Sequence, residues 1–151
     1  MKRVSNEQLA MRSGLVACSL LLIAICSWSC SIPNMQSQQC SEASDSVKEF
    51  YSWYLGTDPA QRAKEPEVLK KYISPDFSVD LTDQGVSEPY FLSAVLPTTF
   101  KVGKCEMVDP THSNVQVQAY LRQDERTDQW EVYADTVKNG DHWQIERIEK
   151  R

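Results

Sequence analysis

No cluster of lysine and arginine occurs in the 151 residues, histidine appears only twice, and no uncharged apolar run has the length of an ordinary membrane span. Each absence excludes something. Neutralising a phosphate backbone requires clustered cations, so nucleic acid is not an expected partner, and the net charge of −5 points the same way. His112 and His142 have no second His or Cys at ligand spacing, which leaves no metal site to expect. No Gly-x-Ser-x-Gly occurs and no cysteine sits in a catalytic context, so neither a catalytic nucleophile nor a cofactor is expected. No internal repeat and no second domain can be discerned.

What is present begins with an export signal. Lys2, Arg3 and Arg12 precede an uncharged stretch from Ser13 to Ser29, with Leu20, Leu21, Leu22, Ile23, Ala24 and Ile25 at its centre. This is the profile of a signal peptide over residues 1–29. Its apolar core is about a dozen residues, short of the ~20 that a spanning helix needs. A cysteine directly after a small-residue cleavage site can be lipidated, and three compete. Cys18 has almost no apolar stretch before it, and Cys26 follows a bulky isoleucine. Cys30 follows Ser27-Trp28-Ser29 with the whole apolar core upstream, so Cys30 is the expected lipidation site, anchoring the protein on the periplasmic side of the cell envelope. The alternative is plain cleavage after Ser29 and a soluble periplasmic protein.

Removing residues 1–29 leaves 13 basic and 20 acidic side chains, a net charge near −7. Two cysteines then remain beyond Cys30. In an oxidising compartment Cys40 and Cys105 are readily read as a disulfide, closing a loop worth ~4 kcal/mol in the chain-entropy model. Two unpaired thiols are the alternative.

Residues 30–44, rich in Ser, Gln and Asn with no apolar period, are expected to form a flexible tether, and residues 45–151 a single domain. Asp45 or Ser46 would cap a helix running to Leu55, with Val47, Phe50, Tyr51, Tyr54 and Leu55 at helical spacing. A second helix spans Pro66 to Ile73. Phe77, Val79 and Leu81 fit a strand or a further helical turn equally well. Glu88-Pro89 opens a third short helix closed by Pro97. From Thr99 the period falls to 2, giving four strands: Val115, Val117, Ala119 and Leu121 alternate with polar neighbours in the second, and Trp130, Val132, Ala134 and Thr136 form one face of the third. Asn139-Gly140 predicts a type I′ hairpin, and a change of parity between Ile145 and Ile148 predicts a bulge. The fold class expected is α+β, with N-terminal helices packed on a curved four-stranded antiparallel sheet.

These residues resemble the domain of unknown function 3828 family, small exported proteins and lipoproteins. The matching features are Val47 with Phe50-Tyr51-Ser52-Trp53-Tyr54-Leu55, Tyr72-Ile73-Ser74, Tyr90-Phe91-Leu92-Ser93-Ala94, and the closing hairpin with Gly140, Trp143 and Ile145. The resemblance covers about residues 45 to 149. It implies a cone-shaped fold like that of nuclear transport factor 2, in which helices lean over a curved sheet and leave a pocket. It implies no reaction. Pro97 and Thr98-Thr99 depart from the continuation expected after the third helix.

Enzymes on cone-shaped folds use a buried carboxylate, and Asp80, Asp135 and Tyr90 are the eligible residues here. Asp135 alternates with Ala134 and Thr136, and Asp80 lies between Val79 and Leu81, so both should face solvent. The aromatic residues carry more promise. Tyr51, Trp53 and Tyr54 crowd one short helical segment, more rings than one buried stripe requires. Tyr51, Trp53, Tyr54, Tyr90 and Trp130 are therefore the candidates for a pocket or partner contact. The function expected is a non-catalytic ligand- or protein-binding domain with a possible protein partner in the envelope. A periplasmic immunity or inhibitor protein, its acidic surface suited to a basic target, is one alternative. A small pocket enzyme of isomerase type is the other.

Overall fold

The computed structural model describes residues 36–79 and 85–151. The expected leader, the Cys30 site, the first part of the tether and Asp80 lie outside the described residues.

Helix α1 (Gln38–Gly56) starts well before Asp45. Ser37, in an extended conformation, caps it by accepting a hydrogen bond from the Cys40 amide at 3.2 Å. Residues 38–44, expected to belong to the tether, are its first turns. They are helical because small apolar side chains continue the buried stripe: Cys40 and Ala43 extend the row of Val47, Phe50, Tyr51 and Tyr54 toward the N-terminus. Ser46, expected as a cap, instead lies within the helix and donates to the Trp143 carbonyl at 2.7 Å.

A single turn, α2 (Pro59–Arg62), follows, with Asp58 accepting from the Ala60 amide. Helix α3 (Pro66–Tyr72) carries proline in its first turn and Lys70 and Lys71 in its last, in keeping with the helix dipole. The strands are β1 (Ile73–Val79), β2 (Thr99–Asp109), β3 (His112–Gln123), β4 (Arg126–Asn139) and β5 (His142–Glu149). Their order across the sheet is β1-β5-β4-β3-β2.

The sheet therefore has five strands, not four, and it is mixed. The additional strand, Ile73–Val79, takes in Phe77 and Val79, which by sequence fit strand or helix equally, and Ile73, expected to end the second helix; it runs parallel to β5 on the edge. Its register shifts between Ile73 and Ser78, around Pro75, a residue with no amide to give and tolerated at sheet edges. The other pairs are antiparallel, and the predicted bulge is present: Thr136 pairs with Ile145 but Asp135 with Arg147. At the last hairpin Asn139 pairs with His142, so the loop is Gly140-Asp141, one residue further on than expected. Only Gly140 of those two has positive φ (61°), whereas a type I′ turn needs it at both.

The third helix is absent. Residues 88–93 form a tight turn in which Glu88 and Ser93 make an isolated bridge and Leu92 takes φ 48°. A segment this short gains little from helix propagation. Its carbonyls are claimed from elsewhere, that of Tyr90 by the Tyr51 hydroxyl and that of Phe91 by the Trp130 indole.

Helix α1 packs on β2, β3 and β5. The core lies between them, from Val47, Phe50 and Tyr51 on the helix to Val115, Val117, Val132, Ala134, Ile145 and Ile148 on the sheet. Cys40 and Cys105 are joined by a disulfide that ties the start of α1 to β2. Among the described residues no helix is long and apolar enough to cross a membrane.

Candidate functional site

Helical spacing in α1 turns Phe50, Tyr51 and Tyr54 toward the sheet and leaves Trp53 on the flank. Tyr51 is fully buried; its ring lies 4.8 Å from that of Phe91 and 5.6 Å from that of Phe100. Its hydroxyl donates to the Tyr90 carbonyl at 2.7 Å. Tyr54 is 9% exposed and donates to Glu88 Oε2 at 2.8 Å. Tyr90 is half-buried, with ring centroids 5.0 Å from Phe50, 5.0 Å from Tyr54 and 5.5 Å from Phe77. Trp53 is half-buried and donates from Nε1 to Glu65 at 3.4 Å. Trp130, from β4, donates to the Phe91 carbonyl at 2.9 Å and lines a groove of about 330 Å³ with Leu92, Ser93 and Ala94.

Tyr51, Trp53, Tyr54 and Tyr90 thus share one cluster, and Trp130 joins it through Phe91. Within it Tyr51 and Tyr54 are core residues, while Trp53, Tyr90 and Trp130 form the reachable rim. Burial pushes the Tyr51 hydroxyl far above the usual tyrosine range, and burial followed by the neighbouring Glu88 does the same to Tyr54. Both stay protonated and act as fixed donors. Burial also raises Tyr90.

Three members of this rim escaped the sequence reading. The Arg62 guanidinium lies 3.8 Å over the Tyr54 ring, and its Nη1 is buried without a hydrogen-bond partner among the described residues. Glu88, read only as a helix entry, is the acceptor for Tyr54, and Glu65 is the acceptor for Trp53. None carries a local pattern that could have singled it out. They meet the helix only because α2, α3 and the 88–93 turn fold back along it.

The remaining candidates lie elsewhere. Asp135 points away from α1, accepting from Asn114 and facing Arg151 at 3.7 Å, while its neighbours Ala134 and Thr136 are buried on the helix side. His112 pairs with Asp109 at 2.8 Å in the β2–β3 turn. The Thr111 amide, then the His112 and Thr111 side chains, hold the Asp109 carboxyl down to about 2, so this pair closes a turn. His142 is exposed beside the last hairpin. No group of three or more potential metal ligands occurs among the described residues.

No family model and no curated protein matches the chain. One solved structure with which it superposes is described as an "Ntf2 like protein involved in plasmid conjugation", with a TM-score of 0.47 and 13% identity. The match covers 77% of this chain and 40% of that one, so the chain spans well under two thirds of that protein's length. A likeness this distant assigns neither a family nor an activity.

Proposed function

We propose that the chain is an exported envelope protein, acylated at Cys30, whose domain binds a ligand or protein partner without catalysing a reaction. The observation that carries the reading is the Cys40–Cys105 disulfide, since such bonds form and persist in oxidising compartments outside the cytoplasm. The resemblance to the domain of unknown function 3828 family, with its cone-shaped architecture, belongs to the same proposal. Non-catalytic binding is favoured because rings fill the space beneath α1 and the tyrosine hydroxyls there are committed to Tyr90 and Glu88. Contact falls to the rim of Trp53, Arg62, Tyr90 and Trp130, whose half-buried side chains reach solvent.

Intact mass of the protein isolated from its own cells tests the reading. The expected species lacks residues 1–29, carries acyl chains on Cys30 and is two hydrogens lighter than the reduced chain. Full-length, reduced protein in the cytosol would refute it. Crosslinking in the intact envelope, with Trp53→Ala and Arg62→Ala beside the unaltered protein, tests the rim: the variants should fold normally and lose the crosslinked partner.

A further inference from the structure

We infer that the edge of β2 is the lipid-facing surface of the processed protein, with Lys101 and Lys104 set against anionic phospholipid head groups; this rests on the acylation of Cys30 proposed above. Reach decides the orientation. From Cys30 to Gln36 the chain can extend at most about 20 Å. A domain of about 115 residues is roughly 35 Å across. An anchor shorter than the body it holds keeps only the side where the chain leaves that body close to the bilayer.

That exit is at β2. Gln36 lines a groove of about 580 Å³ together with Lys101, Val102, Gly103, Lys104 and Gln118. Its side chain reaches back to the Cys40 carbonyl at 3.5 Å and the Ser44 hydroxyl at 3.2 Å, and the disulfide fastens Cys40 to Cys105 on β2 itself. The point of departure is thereby held against the strand.

The charge fits the same surface. In a mature chain with net charge near −7, the exposed Lys101 and Lys104 make no ion pair among the described residues, and the exposed acids of the strand, Glu106 and Asp109, lie further along it. Basic side chains are drawn to an anionic leaflet only within about a Debye length of it, and an anchor of at most about 20 Å lets this edge come that close. The bulge between Val102 and Cys105 places Gly103 and Lys104 out of regular pairing, which blunts the edge against a further strand.

The test uses acylated, disulfide-bonded mature protein in vesicles of phosphatidylglycerol or phosphatidylcholine that carry a paramagnetic head-group label. Broadening of backbone amide signals is the readout. Broadening should be several-fold greater at Gln36–Ser41 and Lys101–Glu106 than at Pro59–Arg62, past the far end of α1, a helix about 28 Å long. It should be stronger on phosphatidylglycerol and should fall when Lys101→Glu and Lys104→Glu are combined. Equal broadening at both ends, or indifference to lipid charge and to the two substitutions, overturns the inference. Mass measured on the same sample separates the proposals: acyl chains with an even pattern sink this orientation alone, whereas an unacylated Cys30 sinks the anchor as well.

Discussion

Under α1 the sheet presents Val115, Val117, Ala119, Val132 and Ala134, all fully buried, whereas the opposite face of the same strands presents Gln116, Gln118, Tyr120, Glu131 and Tyr133. The first face is held by burial and ring contacts. The second is a ladder of side chains that satisfy one another: Gln118 donates to Glu131 at 3.0 Å, Tyr120 to Gln118 at 3.1 Å and Tyr133 to Glu131 at 3.4 Å. Gln118, then Gln116, pull the Glu131 carboxyl below its usual range. The comparison separates two roles. Apolar burial on the helix side supplies stability, because removing large rings from water contributes far more than exchanging one polar partner for another. The open face keeps the sheet soluble and in register.

The sharpest way to break this comparison is truncation under the helix. Phe50→Ala removes a fully buried ring that touches Tyr51, Tyr54, Tyr72 and Tyr90, and should cost about 3–5 kcal/mol in denaturant unfolding.

A smaller effect lies in alkali. Tyr51 and Tyr54 bind their protons more tightly in the folded protein than at the ordinary value of 10.0. Their contribution is complete below about pH 10 and lost as pH rises beyond it, since only the unfolded chain then releases the protons. Ultraviolet titration should find these two hydroxyls silent until the fold opens, and Tyr51→Phe should lessen the slope of stability against pH above 10. Early titration of all six tyrosines would contradict the packing described.

The smallest change should come from the open face. Gln118→Ala is expected to alter stability by no more than about 0.5 kcal/mol by the same unfolding measurement, as for most surface substitutions. A loss near that of Phe50→Ala would erase the distinction between the faces.

The legible parts of this fold are those whose signal is local. Alternation in Val115-Val117-Ala119 and in Val132-Ala134-Thr136 named the buried face, and the parity change before Ile148 named the bulge. The stripe from Val47 to Tyr54 identified the second half of α1. Its first half was obscured because Cys40 and Ala43 are small and sit among serines and glutamines, although they keep the same spacing. Strand β1 was undecidable because its partner, β5, lies far along the chain and Pro75 interrupts the pattern. At the candidate site, the aromatic residues could be named from sequence. Arg62, Glu65 and Glu88 could not, because each matters only through a ring or hydroxyl brought to it by another segment.

Composition and periodicity alone therefore settled the α+β class, the buried face of β3 and β4, and the aromatic stripe of α1. Period 2 and period 3.6 are properties of neighbouring residues and need no knowledge of the whole. Only the tertiary structure decided that Ile73–Val79 joins the sheet, that residues 88–93 turn instead of coiling into a helix, and that Arg62 stacks on Tyr54. Those outcomes depend on which backbone and side-chain groups distant segments bring within bonding distance, and no local period encodes that.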